Sequence, residues 1–259
     1  MTTQLTERHW DYSLHAKYYS SRPNYHDAAI DLLVAHARGR QPPADFAVAD
    51  VGAGTGNLTI MLLARGLRVV AVEPNDEMRT IGIERTSGNA SVTWKRATGT
   101  ETTLDADSAN WVTFSSSFNV VDRHAALKES HRILRPGGHF TCMWNHRDLH
   151  DPIQKIAEDI IVSFVPSYDR GVRRQDQREV LEEHASLFGN ILYLESDFDV
   201  PRTIDEYVNA WRSVKNKHWD LATVEGRALF DKIVDQMRRE LPATFRIRYT
   251  TRAWTVRKV

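Results

Sequence analysis

The stretch that decides the fold is VADVGAGTGNLT, residues 48–59, where three glycines fall within five positions directly after a short apolar run. A glycine inside a strand or a helix costs roughly 0.5 to 1 kcal/mol relative to alanine. A cluster of glycines therefore indicates a turn that needs positive φ angles, or a ligand that lies against the main chain. The pattern predicts a ligand-binding turn between a buried strand and the helix that follows it.

The segments around this turn alternate between apolar strands and helices. Strands are predicted at FAVADV (46–51), RVVAVEP (68–74), NWVTFSSS (110–117) and HFTCMW (139–144). Helices are predicted between them, over 57–66, after Asp76 and over about 122–134. Continuous apolar strands that alternate with helices are typical of a parallel sheet covered on both faces.

The charge balance excludes some partners. Lys and Arg number 34 and Asp and Glu number 34, so the formal net charge is zero and the basic surplus typical of nucleic-acid or anionic-membrane binders is missing. Cys142 is the one cysteine, which excludes an internal disulfide framework. With no leader and no apolar stretch of spanning length in the sequence, we expect a cytoplasmic location, no membrane contact and a small-molecule partner.

Glu73 ends the second predicted strand, where its carboxylate comes within reach of the pocket beside the glycine turn. A carboxylate there accepts hydrogen bonds from both hydroxyls of a ribose, and the helix N-terminus after the glycines attracts an anionic group. Two classes of nucleotide ligand fit this geometry, dinucleotides and other ligands with an adenosine-like ribose, and the glycine spacing separates them. A dinucleotide motif reads G-x-G-x-x-G, whereas this chain has G-x-G-x-G, with Asn57 where a third small residue would stand.

Five motifs together resemble the class I S-adenosylmethionine-dependent methyltransferases, in the small-molecule branch near the ubiquinone/menaquinone methyltransferases. They are VADVGAGTGNLT, the acidic second-strand motif VVAVEPNDEM (69–78), the Pro-Gly-Gly turn in HRILRPGGHF (131–140), the segment MWNHRD (143–148) just after it and the Tyr and Arg-Pro pattern YYSSRPNY (18–25). The resemblance covers residues 12–148. It implies a doubly wound α/β fold with a mostly parallel, seven-stranded Rossmann-like sheet, helices on both faces and a helical lid.

The resemblance also implies a division of the chain and a cofactor. Residues 1–40 are predicted as an aromatic N-terminal cap and helix, 41–148 as the cofactor-binding core, 149–190 as the helical lid, and 191–259 as the last strands with inserted helices, completing the same domain. The charged run 169–183 is interpreted as a solvated helix or loop. The implied cofactor is S-adenosylmethionine, with S-adenosylhomocysteine as product.

The family's functional residues carry over onto matching positions of this chain. Asp50 and the glycine backbone would border the methionine part of the cofactor, Glu73 would hold the ribose, and Met78 would pack near the adenine. The chain departs from the family in ATGTE (97–101), where a Gly-Asp pair is commoner, and at Asn119-Val120, where relatives often carry His-Trp. The implied cofactor-binding residues are Tyr18, Arg22, Asp50, Gly52, Ala53, Gly54, Gly56, Glu73, Pro74, Met78, Thr98, Gly99, Thr100, Ser115 and Ser116.

Aromatic residues outside the core predict a flat acceptor, and the substrate candidates are Tyr25, Asn119, Trp144 and Trp211. We expect N- or O-methylation of a planar or heteroaromatic metabolite by a monomer or homodimer. His9, His15 and His124 are possible bases, although each is more typical of a surface or helix face. The run from His146 to Asp151 has metal-ligand composition, but it is interpreted as a solvated loop, with no metal site.

Two alternatives to an active methyltransferase stay open. An NAD-dependent oxidoreductase is disfavoured by the G-x-G-x-G spacing and by the lack of Tyr-x-x-x-Lys pairs. A non-catalytic module that binds S-adenosylmethionine would share the glycine turn, so only a test for methyl transfer separates it.

Overall fold

The fold is organised around one mixed sheet. The computed structural model describes residues 12–169, 175–216 and 218–259. Within these residues the sheet strands are β1 (Ala47–Val51), β2 (Arg68–Val72), β3 (Val92–Lys95), β4 (Ala109–Ser115), β5 (Leu134–Arg147), β6 (Leu192–Thr203) and β7 (Thr244–Arg257). They lie in the order β3-β2-β1-β4-β5-β7-β6. Neighbours from β3 to β5 run parallel, whereas β7 is antiparallel to both β5 and β6.

Helices connect the strands, and several of them begin at a polar N-cap. In the described part of the chain they are α1 (Ser13–Ala16), α2 (Asp27–Arg38), α3 (Asn57–Leu63), α4 (Asp76–Arg85), α5 (Arg123–Ile133), α6 (Pro152–Phe164), α7 (Arg178–Glu182), α8 (Ile204–Arg212) and α9 (Val224–Glu240). Asn75 and Asp122 accept hydrogen bonds from backbone N–H groups in the first turns of α4 and α5. Thr203 and Glu206 form a reciprocal capping box on α8. These caps fix the residues at which the three helices begin.

Side-chain alternation along the central strands divides the core into two layers. Val48 and Trp111 pack with α2 and α3 on one face of the sheet. Ala49 and Val112 point to the opposite face, where they pack with α5. Both faces are covered, which is why the central strands read as continuous apolar runs. The predicted fold class, a doubly wound and mostly parallel α/β sheet with helices on both faces, is confirmed.

A third apolar cluster lies beside the sheet. It joins α6, α8 and α9 to the part of β7 around Ile247 and Tyr249. The segment predicted as a lid, 149–190, is divided between clusters, because Leu181 of α7 packs into the sheet core instead. The predicted domain boundaries stay a prediction.

The part of the charged run 169–183 that the structure describes, residues 169 and 175–183, is only partly solvated. Gln177 is buried, and Asp176 accepts a hydrogen bond from the Trp254 indole nitrogen at 2.8 Å. The sequence does not predict this contact, because one residue within a run of mixed charges gives no local signal that it pairs with a distant tryptophan.

The topology positions a crevice. β1 lies between β2 and β4, so the chain builds the sheet to one side of β1 with β2 and β3 and then to the other side with β4 and β5. Such a switch point opens a ligand-binding crevice at the carboxyl ends of the strands. Over the residues that the structure describes, no helix combines the length and the hydropathy required to cross a bilayer.

Candidate functional site

The glycine turn after β1 has the backbone that its sequence predicts. Gly52, Gly54 and Gly56 all have positive φ angles, of 68°, 59° and 81°. The N–H groups of Gly52 and Ala53 both donate to the Val72 carbonyl, at 2.8 and 3.1 Å, which ties the turn to the end of β2. A Cβ atom at Gly52 would lie 2.4 Å from the Ser117 Cβ atom. The turn therefore needs glycine for conformation and for space.

Glu73 lies across the turn. Its Oε2 atom accepts a hydrogen bond from the Gly54 N–H at 2.8 Å, and its Oε1 atom accepts one from the Asn75 N–H at 2.9 Å. The residue is 7% exposed, and burial raises the pKa of its carboxyl to about 7 against the opposing effect of the two N–H donors. An ionised carboxylate has about four acceptor sites, so this one can also accept from a ligand's hydroxyls.

Asp50 lies behind the turn. It is fully buried, and its two carboxylate oxygens accept hydrogen bonds from the Thr59 and Thr113 hydroxyls at 2.7 and 2.9 Å. Burial raises the pKa of this carboxyl to about 6, while the two hydroxyls lower it. The Asp50 side chain thus links the end of β1 to α3 and β4, and these bonds hold the two ends of the glycine turn in place.

One cavity of about 990 Å³ opens at the carboxyl ends of β1, β2, β4 and β5. It extends from the glycine turn to α6 and α8, and residues of the N-terminal cap form one side of it. Thirteen of the predicted site residues line it, namely Arg22, Tyr25, Gly52, Ala53, Gly54, Glu73, Pro74, Met78, Ser115, Ser116, Asn119, Trp144 and Trp211. The structure therefore brings most of the predicted site residues together around a single cavity.

Six predicted cofactor residues do not line this cavity: Tyr18, Asp50, Gly56, Thr98, Gly99 and Thr100. The turn containing Thr98 closes on itself, because the Thr98 hydroxyl accepts a hydrogen bond from the Glu101 N–H at 3.1 Å and lies 3.2 Å from the Thr100 hydroxyl. Gly99 packs against Phe114, and Gly56 begins α3 next to Trp94. The unusual sequence ATGTE thus forms a compact turn away from the cavity wall.

The N-terminal cap presents Tyr19 to the cavity rather than Tyr18. Tyr19 begins a 3-10 turn, and the Arg22 guanidinium lies 3.9 Å from the centre of its ring. Arg22 also donates from Nε to the Ser213 hydroxyl and from Nη2 to the Ser213 carbonyl, both at 2.7 Å. Arg22 therefore ties the cap to the end of α8.

The predicted substrate residues form the wall beyond the glycine turn. The Trp144 indole nitrogen donates to Asn119 Oδ1 at 3.1 Å. The Tyr25 hydroxyl lies 3.0 Å from the Ser116 hydroxyl, and burial raises the pKa of Tyr25 to about 12. Ser116 has a φ angle of 60°, an uncommon value for a residue with a side chain. These bonds fix two aromatic rings on the cavity wall.

Sequence reasoning missed several residues of this wall. They include Thr55, Asn57, Asn145, His146, Arg147, Gln154, Glu158, Tyr168, Asp169, Lys215, Asn216, His218 and Tyr249. A partial signal existed for His146 and Arg147, which follow Trp144 in MWNHRD (143–148) at the carboxyl end of β5. The residues from α6 onward carry no local signal, because only tertiary packing brings them to the cavity.

Of the three histidines named as possible bases, the two that the structure describes do not line the cavity. His9 lies outside the described residues. The His15 ring contacts the Arg212 carbonyl at 2.7 Å, and burial lowers its pKa. His124 lies 3.7 Å from Glu183. The imidazoles on the cavity wall belong to His146 and His218 instead.

The run from His146 to Asp151 does not form a metal-type cluster. Asp151 caps α6 by accepting from the Gln154 N–H at 3.0 Å, and it also accepts from the Arg248 N–H at 3.0 Å. In the ranges that the structure describes, no group of three or more His, Cys, Asp or Glu side chains has the spacing of a metal site.

The fold and the cavity together define a class: doubly wound α/β proteins with a glycine turn after β1 and an acidic residue after β2, both at the switch point of the sheet. Comparison with protein families narrows this class, because residues 49–142 match the family model described as a methyltransferase domain. The resemblance to class I S-adenosylmethionine-dependent methyltransferases is confirmed.

Two curated relatives illustrate the match. An uncharacterized methyltransferase of Mycobacterium tuberculosis is 40% identical over 131 residues, which cover 51% of this chain and 50% of the relative. A ubiquinone/menaquinone biosynthesis C-methyltransferase of Rubrivivax gelatinosus is 34% identical over 103 residues, or 39% of this chain and 40% of the relative. The chain thus spans about half the length, or less, of these two relatives.

Among solved structures, a putative type II methyltransferase from Anaeromyxobacter dehalogenans superposes with a TM-score of 0.59. The superposition covers 91% of this chain and 97% of that one at 17% sequence identity. This likeness shows that the fold extends beyond the residues matched by the family model.

Proposed function

We propose that this protein is an S-adenosylmethionine-dependent methyltransferase that acts on a small molecule. The observation that carries the proposal is that Gly54, whose backbone turns with positive φ, and Glu73 line the same cavity as Trp144 and Trp211. The methyltransferase-domain match over residues 49–142 supports the same function. One end of the cavity suits a nucleoside, and the other suits a flat acceptor.

The residues at the glycine turn fit the cofactor. A Cβ atom at Gly54 would meet only the Met78 methyl group, at 3.7 Å, so the bare backbone there borders open space. Glu73 would accept hydrogen bonds from the ribose hydroxyls, and Pro74 with Met78 would pack against the adenine. Arg22 would lie near the cofactor's carboxylate, which a guanidinium binds well.

When bound, S-adenosylmethionine supplies an electrophilic methyl group on a positively charged sulfur. The task of the chain is to hold the acceptor atom in line with that group and to exclude water. Trp144 and Tyr25, fixed by Asn119 and Ser116, would orient a planar acceptor by ring contact.

We infer that the accepting atom is nitrogen or oxygen of a planar or heteroaromatic acceptor. A hydroxyl or a protonated nitrogen must lose a proton, and His146 and His218 are the imidazoles on the wall that could receive it. Arg147, which lies beside the aromatic groups, supplies a permanent positive charge that favours an anionic or electron-rich acceptor.

The test is a calorimetric titration with S-adenosylhomocysteine. Glu73→Ala should weaken binding by roughly 1 to 3 kcal/mol, since the ribose hydroxyls lose their acceptor. Glu77→Ala is the matched control, because Glu77 is exposed in the first turn of α4. Glu73→Gln keeps the shape of the side chain and removes only the charge. Unchanged affinity in both Glu73 variants would contradict the proposed site.

A second measurement separates catalysis from binding. A mass-spectrometric screen of planar phenols, heteroaromatic amines and acids should reveal products heavier by one methyl group. Binding of S-adenosylhomocysteine without transfer to any acceptor would favour a non-catalytic module. Binding of NADH in its place would favour an oxidoreductase.

A further inference from the structure

Arg147 is the last residue of β5, and it lines the acceptor end of the cavity. Its guanidinium carbon lies 3.9 Å from the centre of the Trp211 ring and 5.6 Å from that of the Tyr207 ring. Its Nε atom donates to the Tyr249 hydroxyl at 3.3 Å. A guanidinium is always protonated in proteins, so these contacts hold a permanent positive charge among aromatic groups.

The geometry of this group suits a flat anion. Contact with the Trp211 ring and the bond to the Tyr249 hydroxyl hold the guanidinium in place, and a guanidinium donates its hydrogen bonds within its own plane. A carboxylate is planar and accepts two parallel hydrogen bonds from such a fork. Trp144 lies on the same cavity wall, with its indole nitrogen bonded to Asn119. An aromatic ring that carries a carboxylate would therefore meet both a cation and an apolar surface.

Four other charged groups of the cavity make different contacts. Arg22 donates twice to Ser213 and so ties the N-terminal cap to α8. Glu73 belongs to the glycine turn at the opposite end. Glu158 accepts from the Gln154 side-chain amide at 2.8 Å, and Gln154 in turn accepts from the Tyr207 hydroxyl at 2.9 Å. The Lys215 ammonium nitrogen lies 5.6 Å from the centre of the Tyr12 ring, and it has no planar fork. Arg147 is the guanidinium that lies beside Trp211 at the acceptor end of the cavity.

We propose that Arg147 recognises the acceptor and that the acceptor is a planar carboxylic acid, whose carboxylate binds the guanidinium while its ring lies against Trp144 and Trp211. This inference rests on the proposed function, because it names the substrate class of the same cavity. It assigns Arg147 to binding and specificity, and it leaves open which other atom of the acid receives the methyl group.

The experiment compares 2-naphthoate with 2-naphthamide, which have the same ring system and differ in charge. Each is titrated calorimetrically into the full-length protein saturated with S-adenosylhomocysteine. We expect 2-naphthoate to bind about tenfold or more tightly than the amide, since a charge-assisted bidentate pair replaces a neutral contact. Equal affinities, or no measurable binding of 2-naphthoate, would overturn the proposal.

Variants locate the source of the preference. Arg147→Gln should abolish the preference for the acid, and Arg147→Lys should retain part of it, because lysine keeps the charge without the planar fork. Arg238→Gln is the matched control, since it removes one positive charge from an exposed ion pair with Asp205 on the outside of α9. A preference that persists in Arg147→Gln would overturn the proposal.

Two features keep the outcome interpretable. If circular dichroism shows that Arg147→Gln is unfolded, the wild-type comparison and Arg147→Lys decide the question between them. Failure of S-adenosylhomocysteine to bind would contradict the proposed function, and the two naphthalene ligands are then compared on the protein alone. Intact S-adenosylhomocysteine binding with no preference for the acid would contradict this inference only.

Discussion

The two ends of the cavity are built in different ways. The end beside the glycine turn is made by backbone: Gly52 and Ala53 donate to Val72, and Gly54 donates to Glu73 from only 19 residues away. The acceptor end is made by side chains from distant segments. Tyr25 meets Ser116 across 91 residues, and Arg147 meets Tyr249 across 102.

This difference has a functional consequence. A backbone turn specifies a ligand through its shape, and almost any side-chain change outside the turn leaves it intact. A wall of long-range side-chain contacts can change one residue at a time, which alters the acceptor while the donor site stays the same. The two ends should therefore respond differently to mutation, in magnitude and in kind.

The largest effect is expected at Gly52. Gly52→Ala should reduce the free energy of unfolding by about 3 kcal/mol or more, because the new Cβ atom combines left-handed backbone strain with overpacking against Ser117. S-adenosylhomocysteine binding should be lost with it. Urea denaturation and calorimetry measure the two effects.

Gly88→Ala is the control for backbone strain alone. Gly88 also has a positive φ angle, of 80°, but a Cβ atom there would meet nothing within 4 Å. We expect a loss of about 1 to 2 kcal/mol and normal ligand binding. Equal losses at both glycines would show that the turn owes its glycine to conformation alone and not to close packing.

A smaller effect, dependent on pH, is expected at Glu73. Burial raises the pKa of its carboxyl from the ordinary value of 4.5 to about 7, so the folded state binds the proton more tightly than the unfolded state. The stabilisation from that proton is complete below the unfolded pKa and is lost as the pH rises through the folded one. Wild-type protein should therefore lose about 2 to 3 kcal/mol relative to Glu73→Gln between pH 5 and pH 8.

Denaturant unfolding of both proteins without ligand, at several pH values, measures this difference. Asp50, whose pKa is raised to about 6, is present in both and cancels. Glu77→Gln, at an exposed position of α4, should show no comparable change with pH. A difference between wild type and Glu73→Gln that does not vary with pH would mean that Glu73 ionises normally in the fold.

The same contrast explains what sequence analysis could and could not predict. The glycine turn, Glu73 and the alternating strands are local patterns, so the fold class and the turn end of the cavity were accessible from the residues. Tyr19, the first residue of a 3-10 turn, lines the cavity and its neighbour Tyr18 does not, which the sequence alone does not distinguish. The turn at Thr98 lies away from the cavity wall, and the Thr98 hydroxyl accepts a hydrogen bond from the Glu101 N–H within that turn.

The acceptor wall was largely inaccessible to sequence reasoning. Gln154 and Glu158 are spaced by four on α6, which is equally typical of a surface helix face. Tyr249 alternates along β7 like any half-buried strand residue. These residues come together only because α6, α8 and β7 pack against one another. No periodicity in the sequence indicates that packing.

The smallest effect is expected where the long-range contacts hold the N-terminal cap. Ser213→Ala removes the hydroxyl that accepts from Arg22 Nε, and it should reduce the free energy of unfolding by about 1 kcal/mol. The Ser213 hydroxyl also donates to the carbonyl of Ala210, three residues back. Ser163→Ala is the matched control, because the Ser163 hydroxyl likewise donates to the carbonyl three residues back but lies exposed on α6.

Hydrogen exchange gives the more informative readout of this change. Ser213→Ala should speed amide exchange in residues 12–22 while exchange around the glycine turn stays the same, because Gly52 and Ala53 are tied to Val72 independently of the cap. Ser163→Ala should leave both regions unchanged. Faster exchange at the turn in Ser213→Ala would mean that the two ends of the cavity are energetically coupled, and that the acceptor wall cannot vary without affecting the donor site.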